Sequence, residues 1–224
     1  MKYYAIIVAG GSGSRMKSDL PKQFLLLNDK PVLFYTIEAF YNSDLKPEII
    51  LVLNSEYHKY CSDLCTQHNF QIPHKIANNG EQRFHSVKNA LNLIEDNKSI
   101  IAVHDAVRPI ISNELITLSF DLAKQHDAVI PVVTSKDSVR IKQEGHTVAV
   151  NREDILLVQT PQTFKSGLLK KAYLQPFNPT FTDDASVVEK AGKSIFITEG
   201  DYKNIKITYP EDLLIAELYL KKRA

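Results

Sequence analysis

Apolar positions in this chain fall into short blocks whose spacing alternates between that of strands and that of helices. The run Ala5-Ile6-Ile7-Val8-Ala9 is continuous and stops abruptly at Gly10-Gly11-Ser12-Gly13, which predicts a buried strand feeding a tight loop. From Pro31 to Ser43, the positions Val32, Leu33, Tyr35, Thr36, Ala39 and Phe40 form a helical stripe behind a proline start. The same reading gives a strand over Glu48 to Leu53, a helix over Ser55 to His68, a short strand over Gln71 to Ala77 and a helix over Glu81 to Ile94. A strand over Ser99 to Val103, a helix over Asn113 to Gln125 and a strand over Ala128 to Val133 continue the alternation. The expected fold class is therefore α/β, a mostly parallel, helix-covered sheet that binds ligands at the carboxyl ends of its strands.

After Val133 the rhythm breaks. Residues Thr134 to Asn151 are polar and alternate only weakly, through Val139, Ile141, Val148 and Val150, around Glu144-Gly145. That pattern predicts a protruding β-hairpin with little core-facing surface, which packs on a second subunit or stays an ordinary surface hairpin. The chain returns through Ile155 to Gln159 and the turn Thr160-Pro161-Gln162, followed by a helix over Lys165 to Tyr173. After a polar break from Pro176 to Thr182 come a capped helix over Asp183 to Ala191 and a strand over Ser194 to Glu199. A last helix spans Pro210 to Lys222, with acids early and cations late, as the helix dipole favours.

Composition narrows the function classes. A chain of 224 residues is long enough for one sizeable core, so residues 1–224 are expected to form a single domain with 134–152 as its projecting arm. With 27 Lys and Arg against 26 Asp and Glu the net charge is +1, so no global field favours nucleic acid or an anionic membrane. Affinity for phosphate must come from local groups. The only cysteines, Cys61 and Cys65, argue against a disulfide framework. Together with the absence of a secretory leader or a membrane-length apolar run, they lead to the expectation of a soluble cytoplasmic protein.

Candidate chemistry starts at the first loop. Successive backbone N–H groups of a Gly-rich turn make an anion nest, and Arg15 and Lys22 add the charge a triphosphate needs. The loop is neither a Walker motif, since Ser14-Arg15 stands where Lys-Ser/Thr would, nor a dinucleotide fingerprint, since Met16 occupies its third small position. Asp105 ends the run Ile100-Ile101-Ala102-Val103-His104, which places it in the same crevice. A lone carboxylate there suits Mg²⁺ held against a triphosphate, or alternatively caps a turn and pairs with Arg108. His58, Cys61, Cys65 and His68 line one helix stripe whose ends are about 15 Å apart, so they are not expected to converge on a metal.

The series Ala9-Gly10-Gly11-x-Gly13-x-Arg15-Met16 with Pro21-Lys22-Gln23-Phe24 resembles the signature of nucleotidyltransferases that join a sugar phosphate to a nucleoside triphosphate. It is most similar to the 2-C-methyl-D-erythritol 4-phosphate cytidylyltransferases of non-mevalonate isoprenoid synthesis. Asn79-Gly80-Glu81-Gln82-Arg83 with Ser86-Val87-Lys88-Asn89-Ala90-Leu91, Asn151-Arg152, Thr182-Asp183-Asp184-Ala185 and Asn204 to Thr208 resemble that family's later motifs in the same order. The resemblance implies a Rossmann-like sheet of the nucleotidyltransferase type, a homodimer joined through the arm, and CTP and a sugar-alcohol phosphate as substrates. It implies Ala9, Gly10, Gly11, Gly13, Gly80, Glu81 and Ser86 as nucleotide contacts, and Arg15 and Lys22 as catalytic cations. It further implies Arg152 and Lys206 as holders of the sugar phosphate, with Arg108 and Thr182 nearby.

Two departures stand out. Asn79 occupies the place of a common family glycine, and Thr134-Ser135-Lys136-Asp137-Ser138 replaces its Asp-Thr pair at the arm, so no arm hydroxyl is assigned. The mechanism implied is attack of the sugar phosphate on the α-phosphate of CTP. A ribitol 5-phosphate cytidylyltransferase shares these motifs, and a non-catalytic nucleotide-binding module is the rival of another class.

Overall fold

The structure, a computed structural model, describes residues 1–11 and 20–222. Strand β1 (Tyr3–Val8) lies at the centre, parallel to β4 (Glu48–Leu53) on one side and β6 (Ile100–Asp105) on the other. Strand β5 (Lys75–Asn78) extends the parallel set beyond β4. Strands β1, β4 and β6 are near-continuous apolar runs because helices cover both of their faces, whereas β5 at the edge is mostly exposed. Val8 is the register partner of both Val52 and Asp105, so the three strands reach their carboxyl ends at one level. That alignment sets the loop after β1 beside Asp105.

Alternating residues of β1 serve opposite cores. Ala5 and Ile7 pack with Leu51 against α1 (Val32–Tyr41), α2 (His58–Gln67) and α4 (Asn113–His126), through Phe34, Phe40, Cys61 and Phe120. Tyr4 and Ile6 face the other way, toward α3 (Arg83–Leu91), α5 (Ser166–Ala172) and α6 (Asp184–Lys190), where Phe84, Val87, Tyr173 and Val188 fill the space. Each fully buried Ile, Leu or Phe contributes about 1.5–3 kcal/mol, which makes this two-sided core the dominant stabilising term.

The far half of the sheet departs from parallel. Strand β7 (Ala128–Thr134) is separated from β6 by β11 (Gln162–Lys165), which runs antiparallel to both. Strand β12 (Phe196–Glu199) pairs parallel with β7, and β10 (Leu156–Val158) pairs antiparallel with it, Leu156 opposite Thr134. The sequence reading has a turn where β11 begins, because four residues that include Gln162 and Lys165 carry no apolar run. Between β7 and β10 the arm projects as its own two-stranded sheet, β8 (Val139–Gln143) and β9 (His146–Val150), turning at Gly145 with φ of 73°.

Smaller differences have local causes. Strand β5 starts at Lys75 and not Gln71, since Pro73 interrupts the run. Helix α3 starts at Arg83 and not Glu81, because Gln82 is extended with φ of −125° and leaves 79–82 as a loop. A two-stranded ribbon, β2 (Leu26–Leu27) and β3 (Lys30–Pro31), precedes α1. The closing helix α7 (Pro210–Lys221) has Pro210 in its first turn and begins where Asp212 accepts hydrogen bonds from the Thr208 and Tyr209 N–H groups.

Candidate functional site

A cleft of about 600 Å³ opens at the carboxyl ends of β1, β4 and β6. The start of the first loop (Ala9, Gly10 and Gly11) lines one side and residues 79–83 with Ser86 another; Asp105 lies at the floor and Lys22, Lys206 and Thr208 complete the rim. Gly13 and Arg15 lie outside the described residues. Among the described lining residues, Lys22, Arg83 and Lys206 face Glu81 and Asp105, a local excess of positive charge in a chain that is nearly neutral overall.

Each wall is held by specific bonds. The Gln23 side chain donates to the Ala9 carbonyl at 2.7 Å, fixing the exit of β1 to the short 3-10 turn that carries Lys22. Lys22 Nζ donates to the Ile207 carbonyl at 2.9 Å, which brings the segment bearing Lys206 against the first loop. On the opposite wall the Ser86 hydroxyl accepts from the Gly80 N–H at 3.0 Å and donates to the Gln82 carbonyl at 3.1 Å, clamping the loop before α3. Gly80 is required there, since a Cβ on it would lie 2.3 Å from the Cβ of His85.

Asp105 is the electrostatic centre. Lys206 Nζ lies 2.8 Å from its Oδ2, Arg108 Nε 3.6 Å from the same oxygen, and Arg83 Nε 4.0 Å from Oδ1. Burial would raise the carboxyl pKa, but Lys206, Arg83 and Arg108 outweigh it and hold Asp105 below the usual carboxylate range. The backbone N–H of Asp105 donates to the Thr160 hydroxyl, which also meets His104 Nδ1 at 3.0 Å. His104 is fully buried, and that burial lowers its pKa to about 4, so it stays neutral and serves as scaffold. Arg108 reaches the Asn204 carbonyl at 2.7 Å and Asn204 reaches the Thr160 carbonyl at 2.8 Å, closing the support behind the carboxylate.

An ionised carboxylate at a strand end fits a Mg²⁺ that takes its remaining ligands from phosphates and water. It does not fit an all-protein cage, since no group of three or more His, Cys, Asp or Glu side chains is gathered among the described residues. The helix stripe of His58, Cys61, Cys65 and His68 is given over to packing: burial pushes the Cys61 thiol up to about 12, and His68 meets the Phe34 ring edge-on.

The sequence-derived site residues divide into two groups. Ala9, Gly10, Gly11, Lys22, Gly80, Glu81, Ser86, Asp105 and Lys206 meet in the cleft, and Arg108 lies buried directly behind Asp105. Arg152 and Thr182 do not reach the cleft of their own chain. Arg152 is exposed at the base of the arm and donates to the Lys136 carbonyl, while Thr182 is exposed ahead of α6. Arg83 and its buried partner Asp184 stand within two of the motifs read from the sequence, but neither is assigned a site role there. Their side chains meet at 2.6 Å across 101 positions of sequence, a separation that no local pattern reports.

The model of the IspD family, 2-C-methyl-D-erythritol 4-phosphate cytidylyltransferase, matches residues 3–222. A protein of that name from Bacteroides thetaiotaomicron is 50% identical over 220 residues, covering 98% of this chain and 100% of the relative. One from Bacteroides fragilis is 50% identical over 216 residues, covering 96% and 98%. Among solved structures, 4-diphosphocytidyl-2C-methyl-D-erythritol synthase from Anaerococcus prevotii superposes with a TM-score of 0.83 at 28% identity, covering 98% of this chain and 96% of that one. The Francisella tularensis 2-C-methyl-D-erythritol 4-phosphate cytidylyltransferase gives 0.80 at 31% identity, covering 98% and 100%.

Proposed function

The chain belongs to the 2-C-methyl-D-erythritol 4-phosphate cytidylyltransferase family, and from that premise we propose how its cleft performs the transfer. The enzyme transfers CMP from CTP to 2-C-methyl-D-erythritol 4-phosphate with release of pyrophosphate, a step of non-mevalonate isoprenoid synthesis. The observation that carries the assignment is the meeting, in one cleft, of the Gly10-Gly11 loop, the Gly80–Ser86 clamp, Asp105 and Lys206.

A phosphate oxygen of the sugar phosphate attacks the α-phosphorus of CTP; a P–O bond forms there and the bond to the bridging oxygen breaks, so pyrophosphate departs with its electron pair. A phosphate monoester has a second pKa near about 6 and is largely dianionic at neutral pH, so the nucleophile needs no general base. The chemistry depends on screening two anions from each other and aligning them. Lys22, with Arg15, stabilises charge on the α-phosphate and leaving group. The 79–83 loop and Ser86 seat the cytosine, with Gly10 and Gly11 close to the phosphates. Lys206 exchanges its contact with Asp105 for the sugar phosphate. Asp105 would hold Mg²⁺, which would supply positive charge to offset that of the phosphates.

Residues 1–224 act as one domain, and 134–152 as an arm that joins two copies. Arg152, which does not line the cleft of its own chain, then serves the partner's, and Arg108 supports the sugar-phosphate site from behind Asp105. A cytoplasmic setting agrees with the two unpaired cysteines.

The deciding experiment is pyrophosphate release from CTP and Mg²⁺, with methylerythritol 4-phosphate and ribitol 5-phosphate offered separately. Release with the first alone is expected. Release with ribitol phosphate alone would change the acceptor, and CTP binding without release would reduce the protein to a binding module.

A further inference from the structure

One buried carboxylate near the cleft, Asp184, has no part in that scheme, and the side chain of its partner Arg83 turns from the cytosine loop toward Asp105. Asp184 is fully buried at the first turn of α6 and spends both carboxylate oxygens on side chains. Its Oδ2 accepts from Arg83 Nη2 at 2.6 Å and its Oδ1 from the Tyr173 hydroxyl at 2.6 Å. Tyr173 is itself locked, stacked on Phe84 at 4.7 Å. The α6 start is pinned as well, since Asp183 caps it and the Gln162 side chain accepts from the Ala185 N–H. The opposite end of this chain of contacts is exposed to the cleft. Arg83 lines it, and Arg83 Nε faces Asp105 Oδ1 while Lys206 takes Oδ2.

We propose that Asp184 and Tyr173 are positioning residues that act through Arg83, keeping one side of the Asp105 carboxylate oriented while Lys206 leaves its other side for substrate. The inference rests on the functional reading above. A fully buried carboxylate that accepts charge-assisted hydrogen bonds from the Tyr173 hydroxyl and the Arg83 guanidinium fixes the guanidinium more tightly than solvent could, and displacement of a site group by about 1 Å can cost as much as a hundredfold in rate.

Steady-state kinetics on Asp184→Asn, Tyr173→Phe, Arg83→Gln and the double variant Asp184→Asn with Arg83→Gln test it. Expected is a kcat about tenfold lower or more for Asp184→Asn, a smaller fall for Tyr173→Phe, and KM for CTP within about twofold of the parent. The double variant should be no slower than the slower single variant, because both changes break one chain of contacts. Losses that multiply, or folded Asp184→Asn and Tyr173→Phe proteins with parental kcat, would overturn the proposal and assign the triad to stability alone. Should Asp184→Asn fail to fold, Tyr173→Phe decides by the same kcat comparison, since it removes one hydroxyl and keeps the ring stack. A parent protein that releases no pyrophosphate would sink the functional reading, a result distinct from parental kcat in the variants.

Discussion

Gly80 shows how much a single position can carry. The space where its Cβ would lie is occupied by the Cβ of His85, 2.3 Å away, so Gly80→Ala must displace either the 79–82 loop or the first turn of α3. Overpacking of this kind costs about 1–3 kcal/mol, and here the strain falls on the loop assigned to the cytosine. The expected outcome is a dissociation constant for CTP raised at least about tenfold, with a melting temperature lower by a few degrees. Calorimetric titration with CTP checks it, and parental affinity would remove the loop from nucleotide recognition. The place of a site residue was legible where a residue type and a strand end coincide, as at Asp105. It was not legible where partners are distant in sequence. Nothing beside Arg83 announces Asp184, and Lys206, singled out only by its place in the ordered motif series, lies 2.8 Å from Asp105, a contact that no local pattern reports.

Elements were readable to the extent that their apolar patterns were uninterrupted. The central strands β1, β4 and β6 are buried on both faces and read as runs, whereas β11, paired between β6 and β7, hides behind three polar residues in four, Gln162, Thr163 and Lys165. The arm was readable for the opposite reason, its lack of core-facing residues. Ile141 and Val148 are register partners on β8 and β9 and remain 49% and 40% exposed, an apolar pair presented to solvent in a single chain. Replacing both by Asp places like charges directly opposite each other, which weakens the hairpin and makes any apolar contact with a second copy unfavourable. Sedimentation is expected to show a dimer for the parent and a monomer for the variant, with turnover lost in proportion. A variant that sediments as the parent does would mean that subunits meet elsewhere.

At the scale of the whole molecule, acid sensitivity should trace to His104. Its ordinary pKa of 6.5 applies when the chain is unfolded, and burial lowers it to about 4 in the fold. Between those values the unfolded chain binds a proton that the folded one excludes, so stability is full above pH 6.5 and falls on acidification by at most about 1.4 kcal/mol per pH unit. Asp105, held below the carboxylate range by its three cations, adds a loss only as the pH drops below its ordinary value of 3.8. Urea midpoints measured across this range should slope for the parent and flatten between about pH 4 and 6.5 for His104→Gln, whose plateau is lower because two buried hydrogen bonds change. An unchanged slope would place the titrating group elsewhere.

The way the arm is attached has a consequence for how such a protein can diverge. Thr134 and Leu156 are opposite one another on β7 and β10, so the chain leaves the sheet and re-enters it at the same rung. The register of the main sheet is set by that rung, so residues 135–155, Arg152 apart, can drift in composition without sliding β7 past β10. The arm is thus a graft point: its surface can be rewritten for a new mate while the floor of the cleft, anchored on β1 and β6, inherits no change.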